Sequence, residues 1–167
     1  MIDLDKIIGD VVLQLPQIAI RKMADTDIDQ YCSLFQDVFS NPPWNEKWDI
    51  SKINADIKKA MSKEQFFGMV AETGTCNVGY LTGFRFKIIP SVFYIDQLFI
   101  NADYQGKKLG QKLLSETTSQ IKILGVSKIL LLTKPKTIAE KFYRNNGYKQ
   151  FLSVISFKGK TFFIKTV

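Results

Sequence analysis

The sequence has no histidine and only two cysteines, Cys32 and Cys76, among its 167 residues. Without histidine, neither a Ser-His-Asp triad nor a Cys-His pair can form, so proton transfer must use Asp, Glu, Tyr, Lys or water. Two cysteines without a CxxC spacing do not make the usual Cys/His metal site, and we expect no metal. Cys32 lies within an apolar helical pattern, which indicates a small core residue rather than a reactive thiol.

Long apolar runs are also missing. No segment approaches the length of a membrane span, and the opening residues, MIDLDKIIGDVVLQLP, are too acidic and too short in apolar run for a signal peptide. We therefore expect a cytoplasmic protein with no membrane partner. The length fits a single domain over residues 1–167, with residues 1–16 expected to form an N-terminal helical extension.

The charge is unbalanced, with 23 Lys and Arg against 16 Asp and Glu and a formal net charge of +7. A basic chain favours anionic partners, which include nucleic acid, a membrane surface or a phosphorylated ligand. The basic residues are spread along the chain without an Arg cluster, so we expect no specific nucleic-acid binding. Like charges also disfavour a polycationic substrate, although a local acidic pocket would override the net charge.

Hydrophobic periodicity predicts a strand, two helices, three strands, a helix, a strand, a helix and two final strands. The strands are expected at residues 17–21, 66–71, 78–87, 92–100, 129–132, 148–155 and 161–164. Capping boxes at Thr26-x-x-Asp29 and Thr137-x-x-Glu140 are expected to open the first and last helices, and Gly125 to end the third. Antiparallel hairpins around at least one βαβ crossover predict a mixed sheet with helices on both faces.

The turn at residues 105–110, QGKKLG, connects a buried strand to a long helix. Unpaired backbone N–H groups and the helix dipole at such a position favour a bound phosphate. Gly106 and Gly110 allow a ligand to approach the backbone closely. Positive charge beside the turn comes from Lys107, Lys108 and Lys112. Taken alone, the turn is equally well explained as a glycine-containing connector with solvated lysines.

Two segments together resemble the GNAT superfamily of acyl-CoA N-acyltransferases, as a bacterial-type single-domain member. QGKKLG resembles its Gln/Arg-x-x-Gly-x-Gly/Ala loop, and the stretch before it, IDQLFINADY, resembles the strand and link that precede that loop. IAEKFYRNNGY, residues 138–148, resembles its second signature, a short helix with a Phe/Leu-Tyr pair followed by Gly and an aromatic residue. The resemblance extends from residue 17 to the C-terminus. It departs from the pattern at Lys108, where the family usually has glycine.

The resemblance implies the GNAT fold, an α/β arrangement with a mixed, largely antiparallel central sheet, a splayed parallel strand pair and helices on both faces. It implies acetyl-CoA as the acyl donor. The loop would bind the CoA pyrophosphate through backbone N–H groups of Gln105, Gly106, Lys107, Lys108, Leu109 and Gly110. The strand before the loop would offer backbone groups to the pantetheine arm at Leu98, Phe99 and Ile100. A gap beside residues 129–132 would admit that arm, and Phe142 would lie beside the bound CoA.

The resemblance also implies catalytic positions. Tyr143 matches the tyrosine that protonates the departing CoA thiolate, and a phenol is a competent donor to a thiolate; the alternative is an aromatic core residue. Asp96 lies where many members carry an acidic residue, and it could take a proton from the incoming ammonium. The alternative is a structural carboxylate that pairs with a lysine. On strict alternation Asp96 shares a face with Tyr94 and Leu98.

The acceptor pocket of the family borders the segment after the first helix. We expect Trp44, Glu46 and Phe84 to contact the substrate, although the indoles could equally form a hydrophobic plug over the sheet. The sequence therefore predicts an acetyl-CoA-dependent N-acetyltransferase that acts on a primary amine of a small molecule, as a monomer or homodimer. The alternatives are a peptide or protein amine acetyltransferase, and a non-catalytic CoA-binding or nucleic-acid-binding module.

Overall fold

The computed structural model describes residues 17–157 and 159–167, so the predicted helical extension at residues 1–16 lies outside the described part. The strands are β1 Ile18–Lys22, β2 Phe66–Thr73, β3 Cys76–Arg85, β4 Val92–Ile100, β5 Lys128–Thr133, β6 Lys149–Phe157 and β7 Lys160–Thr166. The helices are α1 Ile28–Ser40, α2 Ile50–Met61, α3 Leu109–Ile123 and α4 Ile138–Asn145. The predicted order of elements is confirmed. None of the helices described has the length and apolar character that crossing a membrane requires.

The strands form one sheet in the order β1-β2-β3-β4-β5-β7-β6. Neighbouring strands are antiparallel except for β4 and β5, which run parallel because α3 carries the chain back between them. The expected mixed, largely antiparallel sheet is thus confirmed. The parallel pair lies near the centre of the sheet, with β1, β2 and β3 on one side and the closing hairpin of β6 and β7 on the other.

Two hydrophobic cores cover the two faces of the sheet. On one face, α1 and α2 bury Phe35, Ile53 and Ile57 against Tyr80 and Phe99. On the other face, α3 and α4 close over a core that includes Leu113, Ile121, Phe93, Leu131 and Tyr143. Consecutive residues of one strand therefore serve different cores, as the period of two in a strand requires.

The start of α1 differs from the expected capping box at Thr26. The carboxylate of Asp27, not Thr26, accepts the backbone N–H of Ala24 at 2.8 Å. Asp27 is buried, and its ion pair of 2.8 Å with Arg21 of β1 fixes the carboxylate at this position. The box at Thr137 is closer to expectation, since its hydroxyl accepts the N–H of Glu140 at 3.2 Å.

Candidate active site

The parallel strands β4 and β5 separate partway along their length. Their ladder runs from Val92↔Lys128 to Ile95↔Leu131, whereas β4 continues to Ile100 and β5 to Thr133. A cleft therefore opens between the two strands after Ile95. The edge of β4 that faces this cleft is not paired with β5, so a ligand can reach its backbone groups, except for the Ile100 carbonyl, which accepts a side-chain hydrogen bond.

A β-bulge marks the point where the cleft begins. Pairing with β3 passes from Gly83↔Ile95 to Thr82↔Gln97, so Asp96 is an extra residue in β4. Gly83 is required opposite the bulge, because a Cβ there would clash with the Tyr94 carbonyl oxygen and lie 2.6 Å from Phe93 Cζ. The backbone of β3 and β4 is therefore unusually close at this point.

The bulge changes which face the following side chains take. Ile95 and Leu98 both contact the α3-side core, although strict alternation would put them on opposite faces. Asp96 instead lines a cavity on the side of α1 and α2. The expectation that Asp96 shares a face with Leu98 is wrong, because the extra residue shifts the alternation by one.

The loop at residues 105–110 lies at the open end of the cleft. The Gln105 side-chain amide donates to the carbonyl of Ile100 at 2.9 Å, which ties the loop to the end of β4. Gly106 has φ 72°, and Lys108, where the family pattern has glycine, takes the same left-handed region at φ 62°. Helix α3 then begins at Leu109, and the N–H groups of its first turn have no helical acceptor.

The lysines of the loop are placed differently from one another. The Lys107 ammonium lies 5.4 Å from the ring centre of Tyr104, and the Lys112 ammonium donates to the carbonyl of Ile18 at 3.4 Å. Lys112 is thereby directed toward β1. Lys107 and Lys108 lie directly at the left-handed turn before α3, where their charge adds to the positive end of the helix.

The two segments that carry the family resemblance meet at Gly110. A Cβ on Gly110 would lie 3.5 Å from the Phe142 ring and 3.7 Å from Ile100 Cγ1. These are ordinary contact distances, so the first turn of α3 packs on α4 and on the end of β4 without requiring a glycine at position 110. Phe99 and Ile100 are only 3% and 8% exposed, so a ligand in the cleft would meet their backbone rather than their side chains.

Tyr143 is buried in the core below α4, with 8% of its surface exposed. Its ring packs edge to face on Phe142 and Tyr148. Burial raises the pKa of Tyr143, and the neighbouring Tyr94 of β4 raises it further. The raised pKa means that Tyr143 keeps its proton at neutral pH. Because Tyr94 comes two residues before the bulge, Tyr143 lies toward the start of the cleft.

A cavity of about 240 Å³ lies between α1, α2 and the middle of β3 and β4. Its walls are mostly apolar, and include Tyr31, Phe35, Trp48, Ile57, Phe66 and Phe84. Its polar lining consists of Asp56, Thr82, Asp96 and Gln97. Of these, Asp56, Thr82 and Gln97 were not predicted from the sequence. Asp56 directly precedes the apolar Ile57 in α2, which is a weak signal of a position beside the helix's buried face.

Burial raises the pKa of Asp96, and the Asp56 carboxylate raises it further, against the lowering effect of Lys160 and Lys63. The side chain is open to the cavity, yet protein surrounds the carboxylate closely enough to disfavour its charge. Such a carboxylate accepts a proton more readily than one in bulk water.

The predicted acceptor contacts divide into two groups. Phe84 and Asp96 line the cavity together, whereas Trp44 and Glu46 are not among its lining residues. Glu46 pairs with Lys134 at 3.6 Å, and the Lys134 ammonium lies 5.9 Å from the ring centre of Trp44. These contacts join the segment after α1 to the end of β5. Glu46 also accepts the indole N–H of Trp48, a wall residue, at 2.9 Å.

The family profile for the acetyltransferase (GNAT) domain matches residues 62–150, more than half of the chain. Among solved structures, a GNAT-family acetyltransferase from Staphylococcus aureus Mu50 is similar, with TM-score 0.76, 19% identity and coverage of 90% of this chain and 99% of that one. PaiA N-acetyltransferase from Thermoplasma acidophilum, solved in complex with coenzyme A, has TM-score 0.73, 19% identity and the same coverages.

The ribosomal-protein-S18-alanine N-acetyltransferase from Escherichia coli has TM-score 0.70 and 13% identity, with coverage of 90% of this chain and 94% of that one. The search of curated protein sequences found no significant match. At these identities the solved structures support the fold alone. The profile match over more than half of the sequence is decisive, and the chain belongs to the GNAT acetyltransferase family.

Proposed function

We propose that this protein transfers an acetyl group from acetyl-CoA to a primary amine of a small molecule. The observation that carries the proposal is the bulge at Asp96. It lies where the β4–β5 cleft begins and where the cavity under α1 and α2 reaches the sheet. A donor in the cleft and an acceptor in the cavity would meet at this point.

The residues of the cleft fit a CoA-like donor. The loop offers backbone N–H groups at a helix N-terminus, together with a left-handed Gly106 that has no atom within 4 Å of a Cβ position. We assign the pyrophosphate to Gln105–Gly110 and the pantetheine arm to the backbone of Leu98, Phe99 and Ile100. The Phe142 ring packs against Gly110 at the start of α3, beside the proposed pyrophosphate site. A thioester bound here supplies the activated acetyl group.

Proton transfer is assigned to Asp96 and Tyr143. The acceptor enters as an ammonium, and Asp96 removes a proton directly or through water, aided by its raised pKa. The free amine attacks the thioester carbonyl, a C–N bond forms and the C–S bond breaks. Tyr143, which burial keeps protonated, donates its proton to the departing thiolate, and the second proton released by the nitrogen restores the phenol. The products are the acetamide, CoA as the thiol, and one proton.

The size of the cavity favours a small acceptor over a peptide. About 240 Å³, enclosed by two helices and the sheet, is below the usual range of ligand pockets. The similar Escherichia coli enzyme is by its name an acetyltransferase of a ribosomal-protein alanine, so a peptide acceptor is the second candidate. Acetylation of small amines but not of unstructured peptides would separate the two.

Two alanine substitutions at opposite ends of α3 test donor binding. Gly106 and Gly125 have φ 72° and 84°, and a Cβ at either position meets no atom within 4 Å. Both variants therefore have a similar strain cost. A hundredfold excess of acetyl-CoA over Kd should stabilise the wild type and Gly125→Ala by about 2.7 kcal/mol in thermal unfolding. Gly106→Ala should lose most of this shift, and equal shifts in both variants would contradict the assignment.

A further inference from the structure

The cavity has a charge opposite to that of the chain. The protein has a net charge of +7, yet two carboxylates, Asp56 and Asp96, line the cavity and none of its described lining residues is Lys or Arg. Lys63 and Lys160 are near enough to act on Asp96 but lie outside the lining. The local field in the cavity therefore favours cations even though the surface as a whole repels them.

Neither carboxylate forms a direct ion pair within the described part of the chain. The ion pairs within the described part of the chain involve Asp27, Glu46, Glu72 and Glu140. Asp56 and Asp96 take part in none of these ion pairs. Both side chains are solvent-exposed, so an ammonium that enters the cavity can contact either carboxylate without breaking an existing ion pair.

The rest of the cavity lining, apart from the two carboxylates, is mostly apolar. Apolar and aromatic side chains, among them Phe35, Trp48, Phe66 and Phe84, form most of the wall. Such a wall desolvates an alkyl stem favourably and places aromatic faces beside a cation. A hydroxylated or branched polar body would leave its hydrogen-bonding groups unpaired against this wall.

We propose that the acceptor is a short alkyl diamine, with the reacting amine at Asp96 and a second ammonium at Asp56. This rests on the proposed function, and it assigns Asp56 as the residue that selects the substrate. The ammonium at Asp96 loses its proton, forms the C–N bond and becomes the acetamide. The ammonium at Asp56 remains charged throughout, so its binding contributes equally to ground state and transition state.

The test compares diaminopentane with pentylamine, which has the same stem but one ammonium. The wild type should acetylate diaminopentane with a kcat/KM up to about fivefold higher than that for pentylamine, which corresponds to the upper range for an ion pair open to solvent. Asp56→Asn should remove this preference, because it should raise KM for diaminopentane more than KM for pentylamine. The preference should also narrow as salt is added. Asp25→Asn, which removes an exposed carboxylate outside the cavity, is the matched control.

Equal use of both amines by the wild type would overturn the proposal, as would a preference that persists in Asp56→Asn. Better use of phenethylamine than of diaminopentane would overturn it in favour of an aromatic monoamine. Calorimetric titration of the protein with diaminopentane, without acetyl-CoA, separates this inference from the proposed function. Binding that Asp56→Asn weakens supports the site even if no acetyl transfer occurs, and absence of binding to the wild type sinks it.

Discussion

The rings of Tyr143 and Tyr148 meet edge to face, with their centroids 5.4 Å apart. Burial raises the pKa of both phenols, so both remain protonated at neutral pH. They differ in their surroundings. The buried Tyr148 hydroxyl has no hydrogen-bond partner among the described residues, whereas Tyr143 lies close enough to Tyr94, beside the bulge, for the two phenols to interact. This difference supports the proposal that Tyr143 is the proton donor and that Tyr148 serves packing.

Tyr143→Phe should lower kcat by about 10²- to 10⁴-fold, or roughly 3 to 5 kcal/mol, with little change in the affinity for acetyl-CoA. The hydroxyl is needed only as the thiolate departs, so its removal costs transition-state stabilisation and not ground-state binding. The measurement is thiol release under saturating acetyl-CoA. Tyr148→Phe is the matched control and should keep full activity with equal or higher stability, because it removes an unpaired hydroxyl. Full activity in Tyr143→Phe would exclude it as the acid.

Asp96→Asn should remove the acidic limb of the pH profile of kcat/KM. The base must be ionised to accept a proton. Because the pKa of Asp96 is raised, the activity of the wild type should fall at a higher pH than it would with an aspartate of ordinary pKa. The same raised pKa means that the ionised carboxylate destabilises the fold at neutral pH. The melting temperature of Asp96→Asn should therefore be unchanged or higher. A lower melting temperature with an unaltered pH profile would show that Asp96 is structural.

Lys108→Gly should stabilise the protein by up to about 1 kcal/mol, because it relieves a left-handed backbone at φ 62°. If backbone N–H groups hold the donor, the affinity for acetyl-CoA should change little. A large loss of affinity, with a weaker salt dependence, would show instead that the Lys108 ammonium contacts a phosphate. Lys136→Gly is the matched stability control, since Lys136 has φ 60° before α4. Chemical denaturation and calorimetric titration supply the two readouts.

Asp27→Asn should lower the free energy of unfolding by about 1 to 2 kcal/mol at neutral pH. The Arg21 guanidinium, hydrogen-bonded at 2.8 Å, holds the pKa of Asp27 at about 2, below its usual 3.8. Since the folded pKa is the lower one, the ionised carboxylate stabilises the fold above about pH 4, and this contribution is lost as pH falls toward 2. Denaturation curves of the wild type and the variant should converge over that range. A constant difference would contradict the assignment.

Local patterns in the sequence account for the order of elements and for the loop before α3. Apolar residues at helical spacing, the glycines of the turn and the paired signatures depend on neighbours within a few residues. The bulge could not be found in this way. In VFYIDQLFI nearly every position is apolar, so either phase of alternation satisfies both faces, and the pattern does not locate the extra residue.

The cavity was also outside the reach of sequence patterns, because its lining comes from separate elements. Asp56 of α2 and Thr82 of β3 approach Asp96 only after α1 and α2 pack on the sheet. The predicted capping box at Thr26 was wrong for a similar reason, since Asp27 takes the capping role instead. Its partner Arg21 is a strand residue, and the ion pair fixes the carboxylate more strongly than a local capping pattern at Thr26.

The bulge lets β4 carry one residue more than β3 without disturbing the cores beyond it. Ile95 and Leu98 contact the α3–α4 core and Phe99 lies in the α1–α2 core, which is the alternation that a strand without Asp96 would also give. Deletion of Asp96 would therefore restore an unbroken ladder with β3 and leave Gln97 to Ile100 on their present faces, with loss of the carboxylate at the cleft. Deletion of a residue from Gln97 to Ile100 would instead place the residues on one side of it on the wrong face. The length of β4 can thus change at the bulge without cost to either core, and nowhere else in its second half.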